Sequence, residues 1–168
     1  LDLLENFILF DHSGGRTAKI LARNHQYLGV NEAVKAYEAR KLKDGRLGVF
    51  WHTQGSGKSY SMVFLAQKIR RKFAGSPTIV VLTDRDELNK QISDTFENCG
   101  LLGKTKARQF IASSGEDLIQ KLNGNPSFIF TLIQKFNKSN PQPIYPDHDI
   151  LILSDEAHRS QYGIFADN

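Results

Sequence analysis

Apolar residues follow two alternating patterns along this chain. Short, nearly continuous apolar runs predict strands covered on both faces, and longer stretches with an apolar residue every three or four positions predict helices. The alternation of such strands and helices is typical of an α/β fold, in which a parallel β-sheet is flanked by helices on both faces. The predicted strands are Leu47–Trp51, Thr78–Thr83, Phe128–Thr131 and Ile150–Ser154.

Residues that favour helix ends divide the intervening stretches into four helices. Asn31 and Ser114 are side chains that cap helix N-termini, and Gly124 is a residue that ends helices. Three prolines within residues 137–148 predict an irregular loop. The predicted helices run from Asn31 to about Leu42, from Gly57 to about Gly75, from about Arg85 to Cys99, and from Ser114 to Gly124.

Composition narrows the class of protein. A chain of 168 residues that is 40% hydrophobic suits one globular domain. Its net charge of +4 permits contact with a phosphate backbone and equally suits a solvated surface. Cys99 is the single cysteine, which excludes an intramolecular disulfide and predicts a cytoplasmic protein with an inert thiol. No apolar run approaches the roughly 20 residues of a membrane span. Because the chain opens on Leu1, we expect it to be a piece of a longer polypeptide.

The stretch HTQGSGKS, residues 52–59, lies between a predicted strand and a predicted helix. This is the setting of a phosphate-binding loop, in which glycines let backbone N–H groups face phosphate oxygens. Lys58 would reach the β- and γ-phosphates of ATP, and the Ser59 hydroxyl would ligate Mg²⁺. The usual pattern has glycine where His52 stands, and the alternative is a glycine turn with a solvated lysine. The predicted nucleotide-binding residues of the loop are Thr53, Gln54, Gly55, Ser56, Gly57, Lys58 and Ser59.

Acidic residues follow the last predicted strand. Parallel sheets bind ligands at the carboxyl ends of their strands, so Asp155 is predicted to share the Mg²⁺ of Ser59. Glu156 would orient or deprotonate the attacking water. His158 is predicted to couple the site to the rest of the protein, although a lone histidine is also common as a structural side chain. Taken alone, an Asp-Glu pair at this place is also typical of a helix N-cap.

A phosphate loop followed by D-E-A-H resembles the superfamily 2 helicases and translocases. The stretches WHTQGSGKS, VVLTDRDELNKQI, TLIQKF and DEAHRSQYG are similar, in the same order, to the motor subunit of type I restriction enzymes. The resemblance covers residues 7–163. It implies a RecA-like lobe that uses ATP and Mg²⁺, translocates double-stranded DNA, and works with modification and specificity subunits.

The resemblance also suggests roles for residues outside the loop. ARNHQYLGVNEAV, within an opening segment of residues 1–30 and just beyond it, resembles the adenine-recognition Q motif. Gln26 would hydrogen-bond the adenine edge and Arg23 would lie against the base, although by themselves both suit an ordinary surface. Thr83 and Arg85 match a first DNA-contact motif, and Thr131 and Lys135, with Gln134, match a second. Capped helix starts or solvated turns are the alternatives at these strand ends.

Two parts of such a motor have no counterpart in residues 1–168. The resemblance implies a second RecA-like lobe with an arginine finger, which would follow the D-E-A-H stretch. It also implies a nuclease with a Glu-x-Lys or Asp-x-Lys sequence, and neither of these two tripeptide patterns occurs in residues 1–168. We therefore expect one N-terminal lobe over 1–168. Three alternatives stay open: another superfamily 2 helicase or remodeller, a small-molecule kinase, and a nucleotide-binding module without catalysis.

Overall fold

A computed structural model describes residues 1–51, 53, 55–75, 77–136 and 147–155. The chain forms two compact units. The first comprises Leu1–Ala74 and Asn98–Leu101, and the second comprises Gly75–Glu97 and Leu102–Asn168. Within the described ranges, no helix is both long and apolar enough to cross a membrane.

The first unit combines three helices with a β-hairpin. Its elements are α1 (Asp2–Asn6), β1 (Ile8–Asp11), β2 (Ala18–Leu21), α2 (Asn24–Glu38) and α3 (Lys58–Lys72). β1 and β2 pair antiparallel, and two left-handed glycines, Gly14 and Gly15, lie in the turn between them. A 3₁₀ turn over Arg40–Lys43 follows α2.

Aromatic packing builds the core of the first unit. Phe7 is fully buried, and its ring centroid lies 4.7 Å from that of Tyr27 on α2 and 5.8 Å from that of Phe64 on α3. Val30 and Val63 are also fully buried. Burial of this apolar surface holds α2 and α3 against the segment that leads into the hairpin.

The second unit is built on a three-stranded parallel sheet in the order β4-β3-β5. β3 is Thr78–Thr83, β4 is Phe128–Leu132 and β5 is Ile150–Ser154. In register, Val80 of the central strand lies opposite Ile129 of β4 and Ile152 of β5. In the described part of this unit, the sheet is accompanied by α4 (Asp86–Asn98) and α5 (Gly115–Asn123), with a 3₁₀ turn over Ala107–Gln109 between them and another over Ile133–Phe136 after β4.

Helices cover opposite faces of this sheet. Val80 and Ile129 share one face, and they form a buried cluster with Leu118 and Leu122 of α5. Because side chains alternate along a strand, Phe128 and Phe130 lie on the other face. There they meet Phe96 of α4, whose ring centroid is 5.5 Å and 5.3 Å from theirs. The α/β prediction, with a parallel sheet flanked by helices, is therefore confirmed.

Two predicted elements differ from the structure. Leu47–Trp51 pairs with no strand among the described residues; Val49 and Trp51 are 86% and 84% exposed, and Gly48 has a φ of 126° that interrupts an extended strand. An apolar segment becomes a strand only where a neighbouring strand takes its hydrogen bonds. The helix expected to begin at Asn31 begins at Asn24 instead.

Candidate functional site

Left-handed glycines shape the phosphate loop where it enters α3. Gly55 has a φ of 74° and Gly57 a φ of 89°, values at which a side chain would strain the backbone. Gly55 lies inside a turn, because the N–H and the hydroxyl of Ser56 both donate to the carbonyl of Thr53, at 3.1 and 2.6 Å. Gln54, like His52, lies outside the described residues. The chain thus bends sharply into the first turn of α3.

Lys58 and Ser59 begin α3 directly after Gly57. The N–H of Ser61 donates to the Gly57 carbonyl at 3.1 Å, one turn back. The amide groups of Lys58, Ser59 and Tyr60 precede it, in the turn that carries the positive end of the helix dipole. Lys58 and Ser59 are half-buried. This end of α3 has the geometry and the charge to receive an anion.

The first turn of α2 lies against the same loop. Gln26 is 3% exposed; its Nε2 donates to the Gly57 carbonyl at 3.0 Å and to the Ser61 hydroxyl at 3.2 Å. Its Oε1 accepts from the N–H of Arg23 at 2.9 Å. Arg23 itself is exposed. The structure therefore brings the Q-motif residues and the phosphate loop together, with the Gln26 amide on the loop.

Two residues beside the loop were missed in the sequence analysis. His25 Nε2 lies 3.3 Å from the Ser56 carbonyl. Tyr60, in the first turn of α3, donates its hydroxyl to Asp11 Oδ2 at 2.5 Å, and the N–H of Ser13 donates to Asp11 Oδ1 at 2.8 Å. His25 adjoins the predicted Gln26, which was a usable signal. The Asp11–Tyr60 pair spans 49 positions, and no local pattern predicts it.

Charge and burial shift the pKa values of Asp11 and Tyr60, which lie beside the loop, and of Cys99. Burial opposes ionisation of Asp11, but the hydrogen bonds from Tyr60 and Ser13 outweigh it and lower the pKa of Asp11 below 3.8. The same hydrogen bond to the carboxylate, together with burial, raises the pKa of Tyr60 to about 12. Burial, and then the negative charge of Asp11, raises the pKa of the Cys99 thiol to about 12. A protonated tyrosine beside an ionised aspartate is thus fixed next to the loop.

Asp155 follows β5 at the carboxyl edge of the parallel sheet. Its N–H donates to the carbonyl of Leu82 at 2.9 Å, which extends the strand ladder by one residue, and the residue is 6% exposed. The predicted catalytic Glu156 and the predicted coupling residue His158 lie outside the described residues. The carboxyl edge of the sheet is where parallel α/β proteins place their ligand sites.

The predicted DNA-contact residues lie at the same edge. Gln134 Nε2 donates to the carbonyl of Asp84 at 3.1 Å, so the ends of β3 and β4 are linked. The side chain of Arg85 is 63% exposed, whereas Lys135 donates its Nζ to the carbonyl of Ala112. A hydroxyl that contacts a phosphate directly needs access to solvent.

Neither threonine has that access. Thr83 is 1% exposed and Thr131 is 0% exposed, and their hydroxyls point to the carbonyls of Arg85 and Leu132, each at 3.4 Å. Their contact with DNA stays a prediction, and it requires this edge of the sheet to open.

Comparison with known proteins decides the family. Residues 25–168 match the family model described as SWI2/SNF2 ATPase, over a range that includes α2 from its second residue on, the phosphate loop and Asp155. The chain belongs to the SWI2/SNF2 ATPase family. Three relatives of this SWI2/SNF2 ATPase chain are type I restriction enzyme endonuclease subunits by name, so the resemblance found in the motifs is confirmed.

The first relative is the HindI endonuclease subunit of Haemophilus influenzae, which is 43% identical over an aligned length of 173; the alignment covers 97% of this chain and 16% of the relative. The second is named for the MjaIXP enzyme of Methanocaldococcus jannaschii and is 36% identical over an aligned length of 178, which covers 100% of this chain and 16% of the relative. The third is named for the MjaVIIIP enzyme of the same organism and is 31% identical over an aligned length of 190, which covers 99% of this chain and 18% of the relative. This SWI2/SNF2 ATPase chain therefore spans under a fifth of these relatives.

Proposed function

We propose that this chain is the RecA-like ATP-binding lobe of a motor that translocates double-stranded DNA in a type I restriction enzyme. The observation that carries the proposal is the loop at Gly55–Gly57, where two left-handed glycines lead directly into the first turn of α3. A polyphosphate fits such a loop because backbone donors and the helix dipole both favour negative charge. The names of the relatives support the restriction-enzyme setting.

Each loop residue would have its own part in binding. The N–H groups of Gly55, Gly57, Lys58 and Ser59 would bind phosphate oxygens, and Thr53 and Gln54 would shape the approach to them. Lys58 would lie against the β- and γ-phosphates and balance their charge. The hydroxyl of Ser59 is a hard oxygen ligand of the type that Mg²⁺ prefers. Arg23 would contact the adenine, and Gln26 would do so after its amide nitrogen leaves the Gly57 carbonyl or the Ser61 hydroxyl.

The acidic residues would divide binding from hydrolysis. Mg²⁺ supplies charge neutralisation at the phosphates when bound. Asp155 would hold the ion, directly or through water, and Glu156 would orient the attacking water and take its proton. His158 would transmit the state of the site to the DNA-binding surface.

DNA contact is proposed at the carboxyl edge of the sheet. Arg85, exposed there, would contact the phosphate backbone, and Lys135 would do so after leaving the Ala112 carbonyl. Thr83 and Thr131, which are buried, would contact the backbone after this edge of the sheet opens. Backbone contacts carry no base sequence, so the modification and specificity subunits would supply site recognition.

The substitution Lys58→Ala in the intact protein tests this function. We expect it to abolish ATP hydrolysis stimulated by double-stranded DNA, with the thermal unfolding midpoint unchanged. Lys35→Ala is the matched control, because Lys35 is an exposed lysine of the same unit that pairs with Glu32 at 2.7 Å. Wild-type turnover by a folded Lys58→Ala protein would rule out the phosphate-loop assignment.

A second candidate is another DNA-dependent ATPase of superfamily 2 without a restriction role. The description of the matching family, SWI2/SNF2 ATPase, favours this candidate as strongly as it favours the first. A nuclease motif in the same gene and methylation-dependent DNA cleavage by the assembled complex would select the restriction enzyme. ATP hydrolysis that DNA stimulates, with no cleavage under any methylation state, would select the second candidate.

A further inference from the structure

Two consecutive carbonyls of the phosphate loop are held by two consecutive side chains of α2. His25 Nε2 lies 3.3 Å from the carbonyl of Ser56, and Gln26 Nε2 lies 3.0 Å from the carbonyl of Gly57. A carbonyl only accepts, so His25 must carry its hydrogen on Nε2 to make this bond. Both side chains come from the first turn of α2, which buries Gln26 in the first unit.

Because each peptide group is planar, side chains that hold the carbonyls of Ser56 and Gly57 also fix the direction of the N–H groups that follow them. In a trans peptide the C=O and the following N–H point in opposite directions. The carbonyl of Ser56 shares its peptide plane with the N–H of Gly57, and the carbonyl of Gly57 shares its plane with the N–H of Lys58. Holding the two carbonyls against α2 therefore turns the two N–H groups away from α2. These are N–H groups that the proposed function assigns to phosphate oxygens.

Both hydrogens on the amide nitrogen of Gln26 are engaged in this arrangement. An amide nitrogen has two hydrogens, and those of Gln26 go to the Gly57 carbonyl and to the Ser61 hydroxyl at 3.2 Å. Reading an adenine by both edges of the amide needs one of these hydrogens for the N7 acceptor. Bracing the loop and reading the base thus compete for the same nitrogen.

We propose that His25 and Gln26 form a carbonyl clamp, a pair of positioning residues that preset the amide donors of the phosphate loop. The clamp rests on the proposed function, because it acts on the loop assigned to ATP. In this arrangement the Q-motif residue Gln26 strengthens binding of the polyphosphate part of the nucleotide. Space supports it as well: a Cβ on Gly57 would lie 3.0 Å from Gln26 Nε2, so this glycine also lets the clamp close.

The test uses the intact protein and two probes, MgATP and magnesium tripolyphosphate, which has no base. His25→Ala and Gln26→Ala should each weaken binding of both probes by about fivefold, the factor expected for one hydrogen bond. The ratio of ATP to GTP affinity should stay at the wild-type value. His25→Gln, which restores a side-chain N–H donor, should recover most of the tripolyphosphate affinity. His12→Ala is the control, because His12 is an exposed histidine of the same unit that bonds Thr17.

The outcomes separate the clamp from the proposed function. Wild-type tripolyphosphate affinity in both alanine variants, with a changed ATP-to-GTP ratio in Gln26→Ala, would overturn the clamp and favour base reading. Absence of MgATP and tripolyphosphate binding by the wild type would overturn the proposed function and the clamp with it. Should the buried Gln26→Ala variant fail to fold, the exposed His25→Ala variant decides the matter by itself.

Discussion

At the residue scale, substitutions of the two acidic residues after β5, Asp155 and Glu156, are expected to have different effects. Asp155→Asn replaces a charged Mg²⁺ ligand with a neutral one, so Mg²⁺-dependent nucleotide binding by the intact protein should weaken, by about tenfold or more. Glu156→Gln should leave binding near wild type and lower turnover by a factor of roughly 10²–10⁴, because the water loses its base. Equilibrium binding and steady-state hydrolysis measured on both variants check this division. Normal turnover by Glu156→Gln would contradict it.

Asp11 and Tyr60 give a second expectation at this scale, which concerns stability. The pKa of Asp11 is lowered in the fold, so its ionised form contributes stability above pH 3.8 that is lost as the pH falls through the lower folded value. Tyr60→Phe removes the hydroxyl that stabilises this carboxylate and should cost about 1–2 kcal/mol near neutral pH. The cost should shrink as the pH falls below 3.8, where Asp11 of the unfolded chain becomes protonated, and should vanish below the lower folded pKa.

Urea unfolding of wild type and Tyr60→Phe across that pH range measures the effect. An equal loss of stability at every pH would mean that packing of the ring, and not the charge of Asp11, sets the contribution of Tyr60.

At the element scale, α2 is adapted to the segment that leads into the phosphate loop. Gly29 lies inside this helix, and a Cβ added there would come within 2.0 Å of the Phe50 ring. Glycine normally costs a helix about 1 kcal/mol relative to alanine. The close approach of Phe50 explains why alanine is not the better residue here.

A double-mutant cycle tests that explanation. Gly29→Ala should destabilise the protein by about 1–2 kcal/mol, since the ring must move from its place. In a Phe50→Ala background the same substitution should instead stabilise it by about 1 kcal/mol, the helix-propensity gain. Unfolding free energies of the four proteins give the result. The same sign in both backgrounds would show that Phe50 does not constrain α2.

Local signals predicted some elements well. β3 and β5 match their predicted ranges, and the predicted cap Ser114 accepts the N–H of Asp117 at 3.2 Å at the start of α5. Each of these depends on a buried apolar run or on a cap within four residues. Such information is contained in the sequence around the element itself.

Elements that depend on distant partners were mispredicted. Asn31 has the chemistry of a helix cap, but its Oδ1 accepts from Lys68 of α3 at 2.5 Å, in the middle of α2. The strand predicted at Leu47–Trp51 needs a neighbour that its own residues do not specify. The β1–β2 hairpin was missed, although Gly14 and Gly15 between two apolar runs are a hairpin signal. For the site, residue types pointed to the loop and to Gln26, which adjoins His25, whereas the contact between Asp11 and Tyr60 needed the fold.

At the scale of the whole molecule, the activity is expected to exceed what residues 1–168 contain. The resemblance implies a facing lobe whose arginine meets charge on the γ-phosphate, and such fingers contribute roughly 10³–10⁵ in rate in other NTPases. A purified polypeptide of residues 1–168 should therefore bind MgATP weakly and hydrolyse it at a trace rate. Double-stranded DNA should leave that rate unchanged, yet should stimulate the intact protein.

Steady-state hydrolysis by both proteins, with and without DNA, provides the comparison. Strong DNA-stimulated hydrolysis by residues 1–168 would show that one lobe suffices, and the proposed dependence on a second lobe would be wrong.

The alkylation rate of Cys99 can be used to follow unfolding of the first unit, because the thiol is protonated in the folded chain. Burial and the charge of Asp11 raise the pKa of Cys99 to about 12, so the folded chain has much less thiolate near neutral pH than an unfolded cysteine. An alkylating reagent should thus label the native chain slowly and the urea-unfolded chain fast. Cys99 is the one cysteine of this chain, so a single modification site follows the event. Bound nucleotide that stabilises the loop beside Tyr60 should slow the labelling further. The labelling rate of Cys99 would then measure the fraction of the protein that holds ATP.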